Sequence, residues 1–107
     1  MTRLIMSATI AFTLVVLLNA HAAAQQHVVA FRKQFSEVEV KLGHNDMLIF
    51  VNQDEVVHQV FSTTEGLRFN LKRMPPGAAS GVKFAKRGVA EVRCAIHRDM
   101  HMKVVVQ

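Results

Sequence analysis

The residues best suited to chemistry lie close together near the end of the chain, in the segment Cys94-Ala95-Ile96-His97-Arg98-Asp99-Met100. Within it Cys94 supplies a thiolate, His97 an imidazole and Met100 a thioether, and all three groups can bind copper. Sulfur donors favour Cu(I) and imidazole accepts Cu(II), so a trigonal site of two His and one Cys with a weak axial Met suits both oxidation states. Such a site needs one more histidine from elsewhere in the chain.

His58 is the best candidate for that second histidine, because it lies in a stretch rich in β-forming residues, Val56 to Ser62, that strand pairing would bring beside Cys94. Cys94 is the only cysteine, so no intrachain disulfide explains it. A lone cysteine is by itself more often a packing residue, and a lone strand histidine more often bonds a carbonyl. The combination with His97 and Met100 favours a metal site.

Short strands are predicted to position these residues. Ser36 to Leu42 alternates strictly, which places Val38, Val40 and Leu42 on one buried face of a strand. Met47 to Val51 is a continuous apolar run, short enough for a strand that is buried on both faces.

Further strand patterns follow toward the ligand segment. Residues 81–85 and 89–94, joined by Lys86-Arg87-Gly88, predict a hairpin, and Ala90 and Val92 share a face with Cys94, so parity points the thiol inward. Lys103 to Val106 predicts a last strand. No segment after residue 24 shows a sustained helical period, so the pattern predicts an all-β fold, an antiparallel sandwich or barrel.

At these residues the chain resembles the cupredoxins, the small type 1 blue copper proteins, in their amicyanin-like and plastocyanin-like branches. The C-x-x-H-x-x-M spacing is similar to that of amicyanin-like loops, and residues 52–58 are similar to the family's Asn-x-Asp approach to the upstream histidine. The resemblance runs from about Val38 to Val106. It implies a Greek-key antiparallel β-sandwich and one type 1 copper ion, with His58, Cys94 and His97 as strong ligands and Met100 as the weak axial ligand.

Two positions depart from the family pattern. Many members have Asn directly after the upstream histidine, where its side chain helps to tie the two ligand loops together, whereas this chain has Gln59. Amicyanin-like loops tend to have Pro after the second histidine, whereas Arg98 here places a positive charge beside that ligand.

Met102 is an alternative axial ligand, because its spacing from Cys94 and His97 is that of the longer plastocyanin-like loops. Matching the final strand through Lys103-Val104 places Met100 at the ligand position, so Met100 is the prediction.

Of the other histidines, His27, His44 and His101 are predicted to be solvated, and His21 lies in the N-terminal segment before residue 25. The run Met100-His101-Met102 is nevertheless similar to the exposed Met and His clusters that carry copper in transport proteins.

Residues 1–24 read as a secretory signal peptide, with Arg3, an apolar run from Leu4 to Leu18 and then small residues. The pattern Ala22-Ala23-Ala24 predicts cleavage before Gln25, and cleavage after Ala22 is the alternative. An uncleaved membrane anchor fits less well, because the run is interrupted by polar residues and is shorter than a membrane span requires. Residues 25–107 then form one small domain.

The chain carries 13 basic and 8 acidic residues, for a net charge of +5. This balance fits a protein partner with an acidic surface. Nucleic acid is not an expected partner, because the charges are scattered and no nucleic-acid-binding module is present. After cleavage of the leader, a monomer without membrane contact is expected.

The resemblance implies a periplasmic one-electron carrier, with copper cycling between Cu(I) and Cu(II) and with a cytochrome or a dehydrogenase as redox partner. A periplasmic copper carrier or buffer without a redox role is the alternative. An enzyme is not expected, because the chain lacks the additional clustered His-x-His pairs that oxidase or nitrite-reductase chemistry would require. A sandwich without a metal is the remaining alternative.

Overall fold

The computed structural model describes residues 2–5, 7–15 and 23–107 of the chain. The strands in chain order are β1 (Gln25–Phe31), β2 (Gln34–Phe35), β3 (Glu39–Leu42), β4 (Met47–Asn52), β5 (Val60–Ser62), β6 (Phe69–Asn70), β7 (Ala79–Lys83), β8 (Gly88–Cys94) and β9 (His101–Val106).

The predicted leader, residues 1–24, falls partly outside the described residues, and its Ala20-His21-Ala22 stretch lies there entirely. Residues 2–5 and 7–15 form no strand or helix and are exposed. No helix suited to crossing a membrane occurs in the part of the chain that the structure describes.

The strands form two sheets, with the orders β2-β1-β4-β7 and β3-β9-β8-β5-β6. This arrangement confirms the predicted all-β sandwich. Each sheet is mixed, however, because β1 pairs with β4 and β3 pairs with β9 in parallel, where purely antiparallel sheets were predicted. The chain crosses to the other sheet between the two members of each parallel pair, and such crossovers permit parallel alignment where a tight hairpin does not.

The predicted hairpin over residues 81–94 is wrong. β7 pairs with β4 in the four-stranded sheet, whereas β8 pairs with β9 and β5 in the five-stranded sheet. Residues 84–87 therefore carry the chain from one layer of the sandwich to the other. The alternation within β8 was predicted correctly, since Ala90, Val92 and Cys94 are all buried.

Two strand predictions are correct in part. β3 begins only at Glu39, so Val40 and Leu42 are buried while Val38 is 80% exposed. β4 alternates instead of being buried on both faces, with buried Leu48 and Phe50 between half-buried neighbours. The outer face of the four-stranded sheet is uncovered at those neighbours, which explains the difference. Of the stretch 56–62, only Val60–Ser62 forms a strand.

The main core fills the space between the two sheets. Its buried residues are Val28, Val40, Leu42, Leu48, Phe50, Val60, Leu67, Met74, Phe84, Ala90, Val92, Met102, Val104 and Val106. Burying each large aliphatic or aromatic side chain in such a core contributes about 1.5–3 kcal/mol, which makes this layer the main source of stability. A second, smaller cluster consists of Ala30, Cys94 and Met100.

Four connections meet at the end of the sandwich near this smaller cluster. In one sheet Ala30 of β1 pairs with Asn52 at the end of β4, and β7 begins beside them. In the other sheet Val60 at the start of β5 pairs with Cys94 at the end of β8. The connections 32–33, 53–59, 71–78 and 95–100 therefore lie together at this end, which we call the cluster end.

The connection between β1 and β2 is a two-residue turn of Arg32 and Lys33, with φ of 51° and 56°. Hairpin turns of this kind need positive φ at both central residues and therefore favour Gly, Asn or Asp. The backbone N–H of Lys33 donates to Asp54 Oδ2 over 2.9 Å, so a neighbouring loop holds the turn in place.

Candidate metal centre

His58 is fixed in the connection between β4 and β5 by an isolated bridge to Met74. His58 N–H donates to the Met74 carbonyl over 3.1 Å, and Met74 N–H donates to the His58 carbonyl over 2.7 Å. The imidazole is completely buried. The loop over residues 71–78 therefore positions this histidine, a contact that no sequence pattern predicted.

Cys94 ends β8 with its side chain buried, as the parity of the strand predicted. Its Sγ lies 3.7 Å from Nδ1 of His58 and accepts the backbone N–H of Gln59 at 3.4 Å. Two of the predicted ligands, His58 and Cys94, are therefore in contact although they lie 36 residues apart in the chain.

His97 lies in a tight loop that returns toward Cys94. Met100 N–H donates to the His97 carbonyl over 3.0 Å, and Cys94 N–H donates to the Met100 carbonyl over 3.3 Å. The His97 ring packs edge-on against the ring of His58, with centroids 4.9 Å apart. His97 Nε2 is buried without a hydrogen-bond partner. Because buried polar groups are normally satisfied, this orphaned nitrogen indicates a missing ligand.

Met100 and Met102 lie in different parts of the interior. Met100 packs with Cys94 in the smaller cluster, whereas Met102 packs in the main core between the sheets. Met100 directly precedes β9 and Met102 is its second residue, so the two side chains lie on the same face of the chain and both are buried. The placement favours Met100 over Met102 as a partner of Cys94.

His101 points to the outside of the sheet between these two buried methionines and is exposed. Residues 100–102 therefore do not form an exposed Met and His cluster. His27 and His44 are exposed as well, although His44 Nε2 also lies 2.7 Å from the Ala85 carbonyl.

Asp54 orients His58, and sequence reasoning did not assign it this role. Asp54 Oδ2 lies 3.0 Å from His58 Nε2. A carboxylate accepts hydrogen bonds, so Nε2 carries the proton and Nδ1 turns its lone pair toward the Cys94 sulfur. The position of Asp54 four residues before His58 was the available signal, because acidic partners commonly hold ligating histidines.

The negative charge of Asp54 is stabilised by the groups that donate hydrogen bonds to its carboxylate. The backbone N–H of Lys33 is the main cause that lowers the pKa of the Asp54 carboxyl from its ordinary value of 3.8. Desolvation opposes this shift, and the hydrogen bond from His58 lowers the pKa further. Asp54 therefore stays ionised and holds the β1–β2 turn and His58 at once.

Asn52 and Gln59 connect the loops around these side chains. The completely buried Asn52 amide donates to the carbonyls of Val56 and Met74, both over 2.9 Å. Gln59 connects the ligand segments through its backbone, since its carbonyl accepts Ala95 N–H over 2.9 Å. Its side chain donates to Asn70 instead, so the backbone and not the amide ties the two loops.

The side chains around His58 offer sulfur and nitrogen donors, which copper accepts. Sγ of Cys94 lies 3.7 Å from Nδ1 of His58, the His97 ring packs on the His58 ring, and Met100 shares a buried cluster with Cys94. Over residues 2–5, 7–15 and 23–107, no group of three or more His, Cys, Asp and Glu side chains is placed so that it could hold a metal ion. The donors instead meet in linked pairs, with His58 contacting Cys94 and His97, and with Met100 packing on Cys94.

The fold is similar to those of solved copper proteins. A reduced Cu(I) form of an amicyanin variant matches with a TM-score of 0.72 at 22% identity, over 82% of this chain and 85% of that chain. A purple cupredoxin from Nitrosopumilus maritimus matches with a TM-score of 0.68 at 19% identity, over 78% of this chain and 99% of that chain.

A copper-containing nitrite reductase from Thermus scotoductus matches with a TM-score of 0.71 at 18% identity, over 80% of this chain and 22% of that chain. No protein-family model matches the chain, and no curated protein matches it. These similarities establish that the chain has the cupredoxin fold.

Proposed function

We propose that this protein is a type 1 copper protein that carries single electrons between redox partners in the periplasm. The observation that carries the proposal is the contact of Cys94 Sγ with His58 Nδ1 at the cluster end, beside the ring of His97, whose Nε2 is buried without a hydrogen-bond partner. Bound copper would supply a one-electron couple between Cu(I) and Cu(II), which such a mixed sulfur and nitrogen donor set accommodates.

The chain's own residues account for a site that stays rigid and dry. Asp54 fixes the His58 ring, and Gln59 N–H holds the Cys94 sulfur. Met100, Cys94 and His58 are all buried, whereas His97 is partly exposed. We therefore assign His97 as the ligand nearest a docking partner.

The proposal does not extend to an enzyme. The chain corresponds to 22% of the nitrite reductase that it matches, so that similarity concerns the shared fold and not the activity of the whole reductase. The smaller similar proteins, which this chain spans almost entirely, fit a stand-alone carrier better.

Copper loading tests the proposal directly. Metal-free protein titrated with Cu(II) should take up one ion and develop the intense visible absorption of thiolate-to-copper charge transfer. Cys94→Ser should abolish the absorption while the fold, measured by circular dichroism, is retained. His101→Ala is the matched control, because this exposed histidine on the same segment should leave the absorption unchanged. A colourless wild-type protein after loading would contradict the proposal.

The partner is proposed to be a protein with an acidic surface, which docks at the cluster end of a monomer. Exposed basic side chains lie in the connections there, at Arg32, Lys33, Lys72, Arg73 and Arg98. Such charges speed association with an oppositely charged partner, and salt screens the effect.

Small redox reagents test this docking preference. At low salt, the reduced copper protein should react faster with an anionic oxidant such as ferricyanide than its driving force alone predicts. Arg98→Glu should slow that reaction about threefold or more. Lys86→Glu, which makes the same change at the opposite end of the sandwich, should have little effect. Equal slowing by both substitutions would show that net charge, and not the cluster end, governs the reaction.

A further inference from the structure

The two sulfur side chains share one small buried cluster. Ala30, Cys94 and Met100 are 4%, 2% and 2% exposed. Among the described residues, Phe35 is the partly buried apolar side chain that packs against this cluster. Phe35 also contacts the main core, where its ring meets the edge of Phe50 with centroids 6.1 Å apart. Phe35 therefore stands between the sulfur cluster and the surface.

Two open clefts flank Phe35. One has a volume of about 300 Å³ and is lined by residues 34–38 together with Asp99, Met100 and His101. The other has a volume of about 380 Å³ and is lined by Val29, Phe31, residues 34–36 and Gln53. Met100 thus contributes to the wall of the first cleft although its side chain is almost inaccessible. Loss of the Phe35 ring would join these clefts to the sulfur cluster.

The backbone holds Phe35 in this position although β2 is only two residues long. Phe35 pairs with Ala30, which is itself a member of the cluster. The next residue, Ser36, makes two hydrogen bonds with Val29 of β1. Its N–H donates to the Val29 carbonyl over 2.8 Å, and its Oγ accepts Val29 N–H over 2.9 Å. The ring is therefore placed by the strand and not by its own packing alone.

We propose that Phe35 is a positioning residue for Met100. The Phe35 ring closes the sulfur cluster to solvent and keeps the Met100 thioether in place. The purpose of this barrier rests on the proposed function, because a site that stays dry and rigid changes little when an electron is transferred. The barrier itself is a property of the metal-free protein. Met74 and Met102 belong to the main core and not to the sulfur cluster.

Oxidation by hydrogen peroxide measures this barrier. Peroxide transfers one oxygen atom to a thioether, which gives a sulfoxide and water, and the rate follows the exposure of the sulfur. Metal-free wild type and Phe35→Ala are treated in parallel, and sulfoxide at each methionine is followed by peptide mass spectrometry. In wild type, Met100 should react about tenfold or more slowly than half-buried Met47. In Phe35→Ala, Met100 should react about tenfold faster while Met74 and Met102 do not change.

Two further variants separate a barrier from a general loss of stability. Phe69→Ala removes a half-buried ring that packs on the main core and not on the sulfur cluster, so it should leave Met100 protected. Phe35→Leu keeps an apolar side chain at the barrier and should restore most of the protection. Unchanged oxidation of Met100 in Phe35→Ala would overturn the proposal, and so would equal acceleration of Met74, Met100 and Met102 in both Phe35 variants.

The outcome is independent of copper. If the protein takes up no copper, the proposed function fails while the sulfoxide pattern is still read on the metal-free protein. If copper binds but Phe35→Ala leaves Met100 protected, the proposed function stands and the barrier does not.

Discussion

A single carboxylate, Asp54, decides which nitrogen of His58 faces the sulfur of Cys94. It accepts from His58 Nε2 and from the backbone of Lys33, so it links a candidate ligand to the turn between β1 and β2. Without it, the Cys94 sulfur would be the remaining side-chain partner of the imidazole nitrogens among the described residues. We therefore expect Asp54 to influence both the candidate metal site and the stability of the metal-free fold.

Asp54→Asn tests this contribution through its pH dependence. The pKa of Asp54 is lowered in the folded state, chiefly by the Lys33 N–H, so the unfolded chain binds the proton more tightly and acid favours unfolding. The stabilisation by Asp54 should be present well above its ordinary pKa of 3.8 and should be lost as the pH falls through the lower folded value. Urea unfolding of metal-free protein should therefore show Asp54→Asn to be less stable at neutral pH.

The same comparison at pH about 3 should show a smaller difference between the two proteins. Glu55→Gln is the matched control, since Glu55 is exposed and should change stability at neither pH. A difference for Asp54→Asn that stays constant from neutral to acid pH would show that the charge of Asp54 is not what stabilises the fold.

The choice of axial ligand is also a question about single residues. Met100→Leu and Met102→Leu make the same change two positions apart, and each should cost less than about 1.5 kcal/mol because the volume is nearly conserved. After copper loading, Met100→Leu should shift the visible spectrum and the reduction potential, whereas Met102→Leu should leave both near wild type. The reverse result would identify Met102 as the axial ligand.

At the scale of the elements, β4 delivers the loop that carries Asp54 and His58, and Asn52 fixes how that loop leaves the strand. The Asn52 side chain donates to the carbonyls of Val56 and Met74 and accepts Asp54 N–H, each over 2.9 Å. Asn52→Ala would leave the Val56 carbonyl and the Asp54 N–H without these partners, and the Met74 carbonyl would keep only the His58 N–H. The bridge between His58 and Met74 depends on the same local geometry.

We expect Asn52→Ala to lower the free energy of unfolding by about 3 kcal/mol, because each buried group left unsatisfied costs about 1–3 kcal/mol. Asn70→Ala is the matched control. Asn70 is exposed, and it accepts from Lys72 and Gln59 at the surface, so its removal should cost less than about 1 kcal/mol. Chemical denaturation measures both variants. Equal losses would mean that burial does not decide the role of Asn52.

The sequence predicted local features of the strands correctly, such as which side chains face the interior, but it did not predict which strands pair with each other. Alternation in β8 correctly placed Cys94 in the interior, because parity depends only on neighbours along one strand. The hairpin over residues 81–94 was wrong, because pattern and turn residues do not specify that β7 and β8 belong to different sheets. The bridge from His58 to Met74 joins residues 16 positions apart through an irregular loop, and no periodicity reports such a contact.

At the scale of the whole molecule, the site depends on the contact between two layers. Asn52 ends a strand of the four-stranded sheet, whereas Cys94 ends a strand of the five-stranded sheet. His58 lies in the connection between the layers and touches Cys94. The all-β sandwich could be predicted from short strands and turns. The parallel pairs β1–β4 and β3–β9 could not, because they join segments whose separation along the chain leaves no local signal.

The predicted cleavage site borders the same sheet, because Ala24 extends the pairing of β1 with β4. Ala24 N–H donates to Asp46 Oδ1 over 2.9 Å, and the Ala24 carbonyl accepts Met47 N–H over 3.0 Å.

Cleavage after Ala22 would keep both hydrogen bonds of Ala24, whereas cleavage before Gln25 would remove them. Protein 23–107 should therefore have a free energy of unfolding about 1–3 kcal/mol higher than that of protein 25–107, because each of the two bonds contributes about 0.5–1.5 kcal/mol net. Asp46→Ala, which also removes the bond from Ala24 N–H, should narrow this gap. The intact mass of the protein produced from the full-length sequence tests whether the leader is removed and at which residue. Equal stability of the two lengths would show that Ala24 does not extend the sheet in solution.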